Sequence, residues 1–227
     1  MHQALQLPQG KTALLLVDLQ EEHRRDSRYL VDGYAEILAN AARLLTAARS
    51  GGVPVLHAFY RRDTTRVPLR RFEPVAADGG PLFSAPDNPM TAICAEVAPW
   101  EGEHVVAKND ASCFSEADFV RHLQGLDPEW LVLCGVWTEA CLSATARDAI
   151  AAGYHVLVVK DACGSGTEAM HQSALLHLAN RLYGGGVCDT ATAVGLMSGQ
   201  SRPVWQLAGS TPIRFDAATL RREYQSL

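Results

Sequence analysis

Residues 130–161 read WLVLCGVWTEACLSATARDAIAAGYHVLVVKD. The first six residues are an apolar run of strand formers, as expected where a strand is buried on both faces. TEACLSATARDAIAAG, 138–153, reads as a helix, and YHVLVVKD, 154–161, as a second strand. A strand, a helix and a strand of these lengths make one right-handed crossover unit of a parallel sheet.

The same alternation extends in both directions. KTALLLVD, 11–18, is an unbroken apolar run closed by a carboxylate. From Tyr29 to Arg49 the apolar residues Ile37, Leu38, Ala41, Leu44, Leu45 and Ala48 repeat at helical spacing, and Gly51 and Gly52 supply the stop. VPVLHAFY (53–60) and HVVAK (104–108) read as strands. SEADFVRHL opens with Ser115 and places Asp118 three residues on, a capping-box pattern. TEAMHQSALLHLANRLY is a further helix, followed by a short strand near GVCDT and a last short helix. The predicted architecture is a three-layer α/β/α sandwich, Rossmann-like, around a mostly parallel sheet of about six strands. Residues 1–198 make one domain. Residues 199–227 read as a C-terminal appendage ending in a short amphipathic helix, whose apolar side is expected at an oligomer contact.

Composition narrows the function. The chain has 227 residues, 48% hydrophobic and 20% charged, the balance of an ordinary globular domain. A formal charge of -5 with no basic helix or tail argues against nucleic acid as partner. No apolar run approaches membrane-spanning length, and MHQALQLPQGK lacks the regions of a signal peptide, so a cytoplasmic protein is expected. The six cysteines form no C-x-x-C pair and read as free thiols. The eight histidines show no ligand spacing, so neither a metal nor a cofactor is expected.

In open parallel sheets ligands bind beyond the carboxyl ends of the strands, near a switch in strand order. Here those ends carry Asp18 and Lys108, and the turn after Gly135 carries Cys141. If the order is flavodoxin-like, 2-1-3-4-5, the three bearing strands are neighbours. Thr138 is a candidate N-cap, which puts Cys141 in the first helical turn, facing unpaired N–H groups and the positive end of the helix dipole. With a lysine nearby, such a site is expected to lower the thiol below its usual pKa of about 8.5. Each residue has a plainer reading: Cys141 as a small buried helix residue, Asp18 as a cap, Lys108 as a solvated strand end. Three coincidences at one sheet edge outweigh those readings.

The segments LLLVDLQ, VVAKNDASCF and LCGVWTEACLSATARDAIAAGYHVLVVKDACGSG, in this order and at these separations, resemble the isochorismatase-like cysteine hydrolases over most of residues 11–198. The resemblance implies a catalytic triad of Asp18, Lys108 and Cys141, a cis peptide at Val136–Trp137, and an oxyanion hole of the Trp137 and Cys141 backbone N–H groups. It implies hydrolysis of a C–N bond in a small amide, ureido or N-carbamoyl compound through a thioester, with release of ammonia or an amine. By position alone, Gln20, His57, Phe59, Phe114 and Trp137 are substrate-pocket candidates.

Departures from the family pattern also inform. FYRRDTT after the second strand lacks the Asp-x-His metal motif of the family's nicotinamidases. A cysteine at the nucleophile position favours C–N cleavage over isochorismatase-type vinyl-ether hydrolysis with Asp18 as acid, which remains the first alternative. A catalytically silent binding protein of the same fold is the second. Residues 61–90, with five arginines and five prolines, read as a long ordered loop that suits a carboxylate substrate, solvent or a subunit contact, and a homo-oligomer is expected.

Overall fold

The leucine- and valine-rich runs lie at the centre of the sheet because nothing polar interrupts them. The computed structural model describes residues 1–227. The first half comprises β1 (His2–Leu5), β2 (Thr12–Val17), α1 (Glu22–Arg25), α2 (Tyr34–Ser50), β3 (Val55–Tyr60) and β4 (His104–Lys108). The second half comprises α3 (Ala117–Leu126), β5 (Trp130–Val136), α4 (Ser143–Ala151), β6 (His155–Gly164), α5 (Glu168–Ala179), β7 (Gly186–Cys188), α6 (Thr190–Met197), β8 (Arg202–Trp205) and α7 (Leu220–Gln225). Every residue of β2 and β5 is buried, as their unbroken apolar runs require. One contiguous hydrophobic cluster of 52 buried residues runs through both faces of the sheet, so the chain has a single core. No helix is long and apolar enough to cross a membrane.

The sheet has eight strands in the order β1-β8-β7-β6-β5-β2-β3-β4. Strands β2 to β7 pair in parallel, and β1 and β8 close one edge in antiparallel fashion. The flavodoxin-like order is therefore corrected. β4, which carries Lys108, is the far edge strand, and β3 separates it from β2. The chain leaves β2 in one direction for β3 and β4, then returns through α3 to β5 on the other side of β2. Right-handed crossovers in opposite directions put α2 on the opposite face from α4 and α5. The order thus reverses between β2 and β5, the place where open α/β sheets bind their ligands.

The two strands beyond the expected six are β1 and β8. Both are short, β1 an exposed edge strand and β8 half buried between β1 and β7, and each pairs with the other across the length of the chain, His2 opposite Trp205. The segment 199–227 therefore does not stand apart. β8 joins the sheet, α7 packs on α5, and the terminal Leu227 is buried. Its apolar residues cover this chain's own α5.

Two capping expectations are also corrected. α3 starts after Glu116, and the Ser115 hydroxyl donates to the Ser112 carbonyl instead. Thr138 lies within a single π-helical turn, Thr138–Leu142, ahead of α4, and its hydroxyl donates to the Gly164 carbonyl. An extra residue per turn here re-aims the side chains that follow, a common device at functional sites.

Gly135 sits where β5 touches β2. Its φ is +127°, and a Cβ there would lie 2.0 Å from the Val17 carbonyl oxygen. Neither backbone has room to yield, because both strands are buried. Gly135→Ala is expected to lose more than about 4 kcal/mol of stability, and a urea midpoint equal to the parent's would contradict this contact.

Candidate active site

Three elements deliver three side chains to the cleft. Asp18 follows β2 directly. Its φ of +53° is left-handed, a conformation an aspartate tolerates better than most residues, and its N–H donates to the Ala58 carbonyl at 2.9 Å. Lys108 ends β4, and its long side chain reaches across the end of β3 so that Nζ donates to Asp18 Oδ2 at 2.8 Å. Both are interior groups: Asp18 is 2% exposed and Lys108 0%. Cys141 comes from the π-helical turn after β5, is partly exposed, and lies within interaction range of both charged groups. The peptide bond between Val136 and Trp137, at the entry to that turn, is cis.

Electrostatics follow from this packing. Burial opposes charge on Lys108, but the adjacent Asp18 carboxylate, with smaller contributions from Cys141 and Cys113, holds the ammonium above its usual range. Burial, and then the Asp18 charge, push the Cys141 thiol up, with Lys108 only partly opposing them. The expectation of a lowered thiol pKa is thus overturned, because desolvation and a neighbouring anion outweigh the Lys108 cation. The resting group is a thiol. Asp18 Oδ1, the oxygen not held by Lys108, is buried and has no hydrogen-bond partner.

Aromatic groups line the approach. Lys108 Nζ lies 5.0 Å from the centre of the Tyr60 ring. Tyr60 stacks on Phe83 with centroids 5.4 Å apart, and Phe83 meets Tyr29 at 5.3 Å. Phe83 belongs to the 61–90 loop, so that loop covers the site from one side. Trp137 Nε1 donates to His23 Nδ1 at 3.2 Å, and His23 itself is buried beside Asp18 and Lys108.

The five pocket candidates fare differently. Trp137 is partly buried next to the turn that carries Cys141. Gln20 is fully buried and clamps backbone: Nε2 donates to the Tyr60 and Thr91 carbonyls, while Oε1 accepts from the Tyr60 N–H. His57 bonds Glu103 at 2.9 Å on the far side of β3, within a cluster where, against burial, Arg49, the Trp100 N–H and His57 together hold the Glu103 carboxyl down at about 2. Side chains alternate along a strand, so Tyr60 faces the cleft where Phe59 was expected. Phe114 packs against Phe119 and Tyr154, away from the triad. His23 and Tyr60 were missed. The alternation of β3 held the signal for Tyr60, whereas the four-residue α1 that places His23 is too short to announce itself.

Other sulfurs and acids are already engaged. Cys113 is buried, accepts from the Thr145 hydroxyl at 3.4 Å, and is pushed up to about 11 by burial. Glu21, Cys94 and Glu96 bring three metal-type donor atoms together, but the Arg24 guanidinium already bonds both carboxylates. Four of the loop arginines are likewise occupied. Arg62 is buried against Glu73 and two loop carbonyls, Arg66 pairs with Glu116, Arg70 with Asp110, and Arg71 lies over Phe72. A cavity of about 790 Å³ lies at the amino ends of β2 and β3, the sheet end opposite Asp18 and Lys108, and neither they nor Cys141 line it.

The isochorismatase domain model matches residues 12–192. The chain is 32% identical over 185 residues to the maleamate amidohydrolase of Pseudomonas putida, covering 77% of this chain and 81% of that one. It is 30% identical over 156 residues to the uncharacterized isochorismatase family protein YddQ of Bacillus subtilis, covering 69% and 79%. Among solved structures, a cysteine hydrolase from Pseudomonas syringae pv. phaseolicola 1448A superposes with a TM-score of 0.75 over 85% of this chain and 95% of that one, at 22% identity, a likeness of fold.

Proposed function

The chain belongs to the isochorismatase family of hydrolases, and from that premise we propose that it hydrolyses the C–N bond of a small amide, ureido or N-carbamoyl compound with Cys141 as nucleophile. One observation carries this reading. A buried carboxylate has one oxygen fixed by a lysine and the other unpartnered, beside a partly exposed thiol.

In the proposed cycle, Asp18 Oδ1 takes the thiol proton as the substrate carbonyl arrives, and Sγ attacks the carbon. Lys108 holds Asp18 in place and offsets the added negative charge. The oxyanion is received by the backbone N–H groups of Trp137 and Cys141. The Trp137 N–H meets no backbone acceptor, which supports this role. Asp18 then returns its proton to the departing nitrogen, ammonia or an amine leaves, and a thioester remains. Asp18 next removes a proton from water, hydroxide adds to the thioester, and the acid departs as Cys141 regains its hydrogen. The similarity to maleamate amidohydrolase supports an amide substrate, and the aromatic approach of Tyr60, Phe83 and Trp137 suits a small planar one.

The test is an ammonia-release screen over maleamate, other small amides, ureas and N-carbamoyl compounds, with intact-mass detection of an acyl adduct on Cys141. Release from at least one compound, with a mass gain on Cys141 equal to its acyl part, is the expected result. A panel with no release and no adduct would sink the proposal.

A further inference from the structure

The amidase reading leaves α7, at the end of the 199–227 segment, without a role, yet a continuous hydrogen-bonded chain leads from it to the nucleophile turn. Tyr224 of α7 places its hydroxyl 3.1 Å from His171 Nε2 on α5. His171 Nδ1 lies 2.8 Å from the Thr138 hydroxyl, and that hydroxyl lies 2.9 Å from the Gly164 carbonyl. Thr138 opens the π-helical turn that carries Cys141, and its own carbonyl accepts from Ser143 at 2.5 Å. Thr138 is fully buried and His171 nearly so.

Proton counting gives the chain a direction. A carbonyl only accepts, so the single hydroxyl proton of Thr138 goes to Gly164. His171 Nδ1 is then the donor toward Thr138, and the Lys160 backbone carbonyl is a further acceptor for the ring. With Nδ1 protonated in a neutral ring, Nε2 is an acceptor, and the Tyr224 hydroxyl donates to it. Burial pushes the Tyr224 hydroxyl up and draws His171 down to about 4, so both hold these states at neutral pH. The other charged groups facing His171 are Glu168 of its own helix, which Arg221 and Gln172 engage, and Lys160 of β6, whose Nζ lies 5.4 Å from the Tyr224 ring.

We propose that Tyr224 is a positioning residue: through His171 and Thr138 it fixes the turn that aims Cys141 and the backbone N–H groups beside it. The C-terminal helix is thereby part of the active-site scaffold. This inference rests on the amidase reading for its kinetic readout but not for its second one, the alkylation rate of Cys141 by iodoacetamide.

Tyr224→Phe keeps the ring and removes only the donor. It is expected to lower kcat about tenfold while KM stays within about twofold, because a misaimed nucleophile affects the chemical step more than substrate capture. The alkylation rate should change by about threefold or more in the same variant, with the thermal midpoint nearly unmoved. His171→Asn retains an amide N–H near the position of Nδ1 but has no acceptor for Tyr224. Adding Tyr224→Phe to it should therefore cost nothing further. The chain is overturned if Tyr224→Phe leaves the alkylation rate unchanged, or if its full effect persists in the His171→Asn background. Failure of the ammonia screen would remove the kcat readout and the amidase reading together, and the alkylation cycle would still decide the role of Tyr224.

Discussion

Cys141→Ala is expected to lower kcat/KM for the amide substrate by about 10⁴-fold or more, the scale on which removal of a covalent nucleophile is felt. The residue is small and partly exposed, so its truncation opens no large interior void. The circular dichroism spectrum and melting temperature should stay close to those of the parent, which separates lost chemistry from lost fold. The same variant discriminates between reactions. Vinyl-ether hydrolysis with Asp18 as the acid needs no sulfur, so that activity would survive the substitution almost intact. Cys141→Ser is a weaker control, since its hydroxyl still faces Asp18 Oδ1. Retention of amide turnover in Cys141→Ala would end the thioester mechanism.

Much of the scaffold for this chemistry is legible in residue patterns, because buried parallel strands must be apolar throughout. The runs at 11–18, 53–60, 104–108, 130–135 and 154–161 all coincide with strands. Carboxyl ends of such strands are where function collects, so Asp18, Lys108 and Cys141 could be picked out before their contacts were known. What periodicity does not encode is order. Neither β3 nor β4 states which neighbour it takes, and the reversal between β2 and β5 is a property of crossovers and packing. β1 and β8 escaped notice because each is stabilised by a partner some 200 positions away, a pairing with no local trace. Side-chain direction was misread for His57 and Phe59, where the period-two rule pointed to Tyr60. The charge state of Cys141 was misjudged for a different reason. Proximity to a helix start is a local feature, whereas burial and the Asp18 carboxylate are supplied by the tertiary fold.

That charge state yields the sharpest opposition between two observables. Asp18→Asn preserves the left-handed backbone position, since asparagine also tolerates φ near +53°. It removes the proposed general base, and amide turnover should fall by about 10³-fold or more. Alkylation of Cys141 should move the other way. In the parent, burial and the Asp18 charge push the thiol up and Lys108 pulls it down. With the carboxylate gone, Lys108 is left without its counter-ion, and a Cys141 thiolate becomes the available one. The thiol pKa should therefore fall, the alkylation-versus-pH curve should shift to lower pH, and the rate at a fixed, mildly alkaline pH should rise by about tenfold. Lys108→Met should do the reverse, slowing alkylation because the one group favouring the thiolate is removed. Either change breaks a buried ion pair and is expected to cost about 3–5 kcal/mol, so both variants need a melting curve beside the kinetics. If alkylation of Asp18→Asn slows in parallel with turnover, the carboxylate promotes the thiolate in the resting enzyme rather than opposing it. The arrangement of a neutral thiol waiting beside a free carboxylate oxygen would then be refuted.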